Sequence, residues 1–164
     1  MTSGKIDIRQ ATFESDISIA RTLFTEYAES LGFSLCFQNF DRELANLPGD
    51  YVPSDGRLLL AFVDDQPAGC IALHRLDENV CEMKRLYVRP GFRGHNLGRK
   101  LIDAIFTAAR ETGYSHMRLD TVTGVMDSAI ALYRKYGFKE IAPYCVNPQP
   151  GVIYMELDLA SVTK

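Results

Sequence analysis

The sequence predicts an α/β architecture, a mixed sheet with helices on both faces. Three observations carry that expectation. Short apolar runs, some alternating with polar residues, read as strands; longer segments repeat apolar residues at helical spacing; and turn-forming Gly, Asp, Asn and Pro separate them.

Lys5 to Thr12 reads as a short strand, and a helix follows from Ser15 to about Ser30, with Ile17, Ala20, Leu23, Phe24, Tyr27 and Leu31 on one face. A shorter helix is expected over Phe40 to Leu47, then a surface loop over Pro48 to Gly56, rich in Pro, Gly, Asp and Ser. Three strands come next, Arg57 to Val63, Gly69 to Leu76 and Val80 to Val88. Asp64-Asp65 and Asp77-Glu78-Asn79 fall where turns would join them into an antiparallel meander. Leu97, Leu101, Ile102, Ile105, Phe106 and Ala109 then mark one face of an amphipathic helix stopped by Gly113. Met117 to Thr121 reads as a strand and Ser128 to Tyr136 as a helix closed by Gly137, with Arg134 and Lys135 against its C-terminal dipole. In the last strand Ile153, Met155, Leu157 and Leu159 alternate with Tyr154, Glu156 and Asp158. No internal repeat or low-complexity linker divides the chain, so one domain is expected over residues 1–164.

With 46% apolar and 24% charged residues, the composition is that of a soluble globular protein. No stretch approaches the roughly 20 apolar residues of a membrane span, and the first ten residues hold no signal-like apolar run. A cytoplasmic protein without a membrane partner is expected, either monomer or homodimer. Cys36, Cys70, Cys81 and Cys145 form no CxxC pair and read as reduced core thiols. His74, His95 and His116 are equally scattered, so no metal is expected.

Charge is unevenly spread. From Phe13 to Glu82 there are thirteen acidic residues against four basic ones; from Lys84 to Lys100 there are six basic residues and no acidic one. A sequence pI near 5.6 and the lack of an aromatic-interleaved basic stripe argue against nucleic acid. The basic run instead coincides with a loop opening a helix, in the segment EMKRLYVRPGFRGHNLGRKLI from Glu82 to Ile102. There Gly94, Asn96 and Gly98 allow consecutive backbone N–H groups to face one concavity at a helix N-terminus, an arrangement that binds pyrophosphate. GxxxxGK[ST] is absent and GxGxxG follows no strand, which counts against ATP and dinucleotides.

The loop Arg93-Gly94-His95-Asn96-Leu97-Gly98, preceded by the strand Leu86-Tyr87-Val88 and Pro90, resembles the signature of the GNAT acetyltransferase family. Asn96 stands where that family usually has glycine, and Asn is the non-glycine residue that best tolerates a left-handed backbone. A second resemblance lies in DSAIALYRKYGF, where Tyr133 occupies the family's tyrosine before a Gly-Phe pair and Met126 stands where Asn is common. The resemblance implies the GNAT fold, a mostly antiparallel sheet of six to seven strands, and acetyl-CoA as co-substrate. It further implies direct acetyl transfer to a primary amine in a ternary complex. Leu86, Tyr87, Val88 and Arg93 to Arg99, including His95, Leu97 and Arg99, become the cofactor-binding candidates. Tyr133 becomes the acid that protonates the leaving thiolate. Glu82 lies inside an apolar strand, where a carboxylate is rarely buried without a reason, and eleven positions before Arg93, the offset of the general base in one branch of the family; water chains serve elsewhere in it.

The acceptor walls would come from the first helices and the last strands, with Tyr27, Tyr144 and Asn147 as candidates by position. The acidic half of the chain favours a small cationic or amino-acid-like amine. A peptide or protein amine is the rival, and a CoA-binding sensor without turnover is the alternative that Asn96 and Met126 would favour.

Overall fold

The computed structural model describes residues 4–32 and 39–162. Its elements are β1 Ile6–Gln10, α1 Glu14–Ser30, α2 Phe40–Asn46, β2 Arg57–Val63, β3 Gln66–Asp77, β4 Val80–Val88, α3 Leu97–Thr112, β5 His116–Val122, α4 Asp127–Tyr136, β6 Lys139–Ile141 and β7 Val152–Asp158. They make one seven-stranded sheet in the order β1-β2-β3-β4-β5-β7-β6. Five neighbouring pairs run antiparallel, and β4 with β5 is parallel. A parallel pair needs a crossover, and α3 supplies it. The mixed, mostly antiparallel sheet expected from the sequence is therefore present.

The meander turns where the sequence placed it. Asp64 and Asp65 adopt φ of 49° and 67°, both left-handed, as the two central residues of a tight hairpin require. β6 is the one strand that residue patterning did not delimit; three residues are too short to show a period.

Strand alternation divides the core into two layers. Leu58, Leu60 and Phe62 of β2 pack with Leu23, Phe24 and Phe40 of α1 and α2. Leu59, Ala61 and Val63 face the other way, against Leu101, Ile105 and Phe106 of α3 and Tyr133 of α4. All six apolar positions predicted for the α3 face are buried, and Gly113 ends that helix at φ 105°.

β4 breaks this alternation. Between the pairs Ala72↔Lys84 and Cys70↔Tyr87, Ile71 of β3 stands opposite two residues of β4, Arg85 and Leu86. This β-bulge, with Arg85 at φ 64°, flips the parity of the strand. Cys81 and Met83 face α3 before it, and Leu86 and Val88 pack on that side after it, whereas Tyr87 joins the α1–α2 layer. Strict alternation would have put Tyr87 on the side of Met83.

Cys70 and Cys81 are buried free thiols, as expected. Cys145 corrects the expectation, because it is exposed on the segment between β6 and β7, where no regular element covers it; Cys36 lies outside the described residues.

Candidate active site

The parallel pair of β4 and β5 is hydrogen-bonded only from Val80↔His116 to Glu82↔Arg118. Beyond that the strands part, and a cleft of about 530 Å³ opens between them. Its walls include Leu86, Tyr87, Val88 and Arg93 of the predicted set, together with Thr121, Met126 and Tyr133. Gly94 to Arg99 are not among the lining residues; they form the loop and the first turn of α3.

That loop has the expected backbone form. Gly94 is at φ 98° and Asn96 at φ 56°, so Asn96 takes the left-handed conformation its side chain tolerates. The Lys100 N–H bonds back to the Asn96 carbonyl at 3.1 Å, which leaves the amides of Leu97, Gly98 and Arg99 as the uncommitted first turn of the helix. The Leu97 side chain is core, at 2% exposure, so this residue has only its backbone to offer a ligand. A Cβ added at Gly94 or Gly98 would meet no atom within 4 Å. Donors, helix dipole, basic side chains and open space thus coincide, and the residues fit a pyrophosphate.

Tyr133 is 6% exposed and reaches the cleft. Burial, with Tyr27 nearby, pushes its phenol well above the usual range, so it carries its proton at neutral pH. Met126, which stands where the resemblance would place Asn, offers a thioether whose sulfur accepts from the Thr121 hydroxyl at 3.1 Å.

A second cavity of about 530 Å³ adjoins the cleft, and Lys84 and Asp120 line both. Glu82 belongs to this cavity, with His74 and Tyr144 beside it. The carboxylate is 4% exposed and closely held. His74, directly opposite on β3, places Nε2 at 2.8 Å from Oε1; the Tyr144 hydroxyl donates to Oε2 at 2.6 Å; and Lys84 Nζ lies 3.7 Å away. Burial pushes the Glu82 carboxyl up, but His74, Lys84 and Tyr144 together outweigh it and hold the group below its ordinary value.

The two catalytic candidates therefore lie on either side of one junction, Tyr133 in the cleft and Glu82 in the cavity. Of the acceptor candidates, Tyr144 lines the cavity, Tyr27 lines the cleft instead, and Asn147 reaches Asp120, its side-chain amide donating to Oδ2 at 3.1 Å. Asp120 and His74 were missed from the sequence. The signal for Asp120 was a carboxylate inside the strand Met117 to Thr121; for His74 it was a place across a meander from Glu82, which needs the register.

The cavity keeps an acidic surplus, since its lining holds four carboxylates, Asp120 included, against Arg42 and Lys84. Of the thirteen acids, Glu43, Asp50 and Glu82 line it, beside Arg42, His74 and Lys84. Glu43 is committed to Arg85, which it meets through both oxygens at 2.8 and 2.9 Å. Cys145 also borders the cavity, but partial desolvation there, with Asp120 and Glu82 nearby, pushes its thiol up, which disfavours a nucleophilic thiolate.

The sequence model of the Acetyltransferase (GNAT) family matches residues 20–138. An uncharacterized N-acetyltransferase of Schizosaccharomyces pombe is 40% identical over 98% of this chain and 99% of its own. Among solved structures, an acetyltransferase of the GNAT family from Staphylococcus aureus Mu50 superposes with a TM-score of 0.79 at 23% identity, covering 94% of this chain and 99% of that one. The PaiA N-acetyltransferase of Thermoplasma acidophilum, solved in complex with coenzyme A, gives a TM-score of 0.68 at 22% identity, with coverages of 94% and 99%.

Proposed function

The chain belongs to the GNAT family of acetyltransferases, and on that premise we propose that it acetylates a small or amino-acid-like primary amine by direct attack in a ternary complex, as a single domain. The observation that carries this is the meeting of two cavities at Lys84 and Asp120. One is bordered by the anion-binding loop and holds Tyr133; the other holds the buried carboxylate Glu82.

Acetyl-CoA supplies the acetyl group as an activated thioester. The loop from Arg93 to Arg99 receives its pyrophosphate through backbone N–H groups and the α3 dipole, as the coenzyme A complex of the Thermoplasma relative makes reasonable. The stretch from Leu86 to Val88, freed from β5, offers backbone donors to the pantetheine and to a developing oxyanion. An amine at the junction is an ammonium before reaction, and Glu82, ionised at neutral pH, accepts its proton directly or through water. Tyr133 gives its proton to the departing thiolate. The cytoplasmic location expected from the sequence belongs to the same proposal; among the described residues no helix is long and apolar enough to cross a membrane.

The test is thiol release from acetyl-CoA with a panel of amines. Turnover with small amines is expected. Tyr133→Phe should lower kcat while CoA affinity holds, and Glu82→Gln should lower kcat/KM most near neutral pH and less at high pH, where free amine is already abundant. CoA binding by titration calorimetry with no thiol released from any amine would identify a sensor instead, and turnover confined to peptide amines would identify the rival acceptor.

A further inference from the structure

We propose that the acceptor is an α-amino acid with an apolar side chain, its carboxylate held by Arg42. This rests on the acetyltransferase reading and assigns the cavity of that same site its ligand. The short helix α2 presents Arg42 and Asn46, four residues apart on one face, to the cavity beside its N-cap Asn39, while Phe40 turns to the core. Arg42 is exposed and makes no hydrogen bond or ion pair among the described residues. Glu82, by contrast, is bound by His74, Tyr144 and Lys84, and Glu43 by Arg85.

The cavity is thus bipolar. On its α2 wall stands the guanidinium of Arg42, without a partner among the described residues, and Asp120, which accepts from the neutral amide of Asn147, stands with Lys84 where the cavity meets the cleft. An ammonium placed beside Asp120 is at the junction where the thioester would be attacked. A carboxylate on the same ligand would meet the planar fork of Arg42, whose geometry suits it. The rest of the wall includes Leu47, Tyr51, Leu76, Tyr144 and Val146. Val146 is 88% exposed, and an apolar ligand side chain would cover it at a gain in free energy. About 530 Å³ is within the usual range of roughly 300 to 1,000 Å³ for small-molecule sites. A polyamine would set a second cation against Arg42, and a peptide amine would bring a neutral amide there. Asp50 shares the wall but is exposed and not paired with Arg42, so it does not cancel the guanidinium.

The experiment is calorimetric titration of the CoA-loaded protein with phenylalanine and with phenylalaninamide. The acid should bind about tenfold or more tightly than the amide, the difference a charge-assisted bidentate contact makes. Arg42→Ala should weaken phenylalanine by a similar factor and abolish the preference, and Arg42→Lys should keep part of it. Titration of each variant with CoA checks its fold. An amide that binds as well as the acid, an acid affinity indifferent to Arg42→Ala, or no binding by either ligand overturns the proposal. Binding is read without turnover. A protein that holds phenylalanine through Arg42 but releases no thiol from acetyl-CoA would therefore refute the transfer reaction and not the ligand class.

Discussion

Asn96 and Gly98 differ in what a substitution should do, because one is fixed by its backbone and the other by the space above it. Asn96 is left-handed at φ 56°, so Asn96→Gly removes a strained Cβ and should keep or tighten CoA affinity. A large loss would reveal a side-chain contact to the ligand. Gly98 needs no special φ and opens onto empty space. Gly98→Val should leave the fold intact and weaken CoA by about tenfold or more, since a branched side chain would occupy the place of the anion and mask the first-turn amides; unchanged affinity in a folded variant would remove the loop from the binding site. Glu82 invites a pH test. Its carboxyl is held low against burial by His74, Lys84 and Tyr144. Tyr144→Phe withdraws one hydrogen bond to the ionised form, so the carboxyl should rise, and the acid limb of kcat/KM should move to higher pH. An unmoved limb would mean that another group sets it. Within the site, Glu82 and Tyr133 stood out in the sequence as chemistry-bearing side chains in apolar segments or motifs. His74 did not, because its role comes from lying opposite Glu82 across two strands.

At the scale of elements, α1 begins on a buried carboxylate. Asp16 accepts from the Thr12 and Phe13 amides at 3.1 and 3.3 Å and from Arg9 at 2.9 Å. Burial pushes its carboxyl up, but those donors outweigh it, and the net shift is downward. Asp16→Ala should therefore cost about 1–3 kcal/mol in urea unfolding at neutral pH. Because the folded value lies below the unfolded one, the stabilisation is present above the ordinary carboxylate range and is lost as pH falls through the folded value. The difference between variant and parent should then shrink on going from neutral pH to strongly acid solution; a gap that stays constant would show that the charge of Asp16 is not what matters. Just past the bulge, β3 approaches β4 closely at a glycine. A Cβ at Gly69 would stand 2.6 Å from the Tyr87 carbonyl, so Gly69→Ala should displace β4 where it borders the cleft and lower both stability and CoA affinity. Wild-type behaviour in both would show that the strand can give way there freely.

For the whole molecule, a ligand that binds only the folded chain stabilises it in proportion to occupancy. CoA at a hundred times its Kd should add about 2.7 kcal/mol, a rise in Tm of roughly 5–10 °C for a chain of this size. Gly98→Val should lose most of that rise at the same CoA concentration. No rise for the parent protein would leave the cleft without its proposed ligand.

The boundaries of β2 and β4, the buried face of α3 and the glycine stops of α3 and α4 were legible in the chain because each is a local consequence of residue type and period. The loop from Arg93 to Arg99, proposed above to receive the pyrophosphate, was legible as a loop before a helix for the same reason: a basic run, small residues and a helix start are contiguous. What the tertiary structure alone decided is non-local. The bulge at Arg85–Leu86 reverses the parity of β4 through its register with β3, and no periodicity within β4 announces it. The parting of β4 from β5 after three residue pairs, the meeting of two cavities at Lys84 and Asp120, and the pairing of His74 with Glu82 all join residues distant in sequence. Net charge counted along the chain could not say which charges share the cavity, Arg42 and Lys84 among its carboxylates, because that depends on which side chains come within a few ångströms, and folding sets that distance.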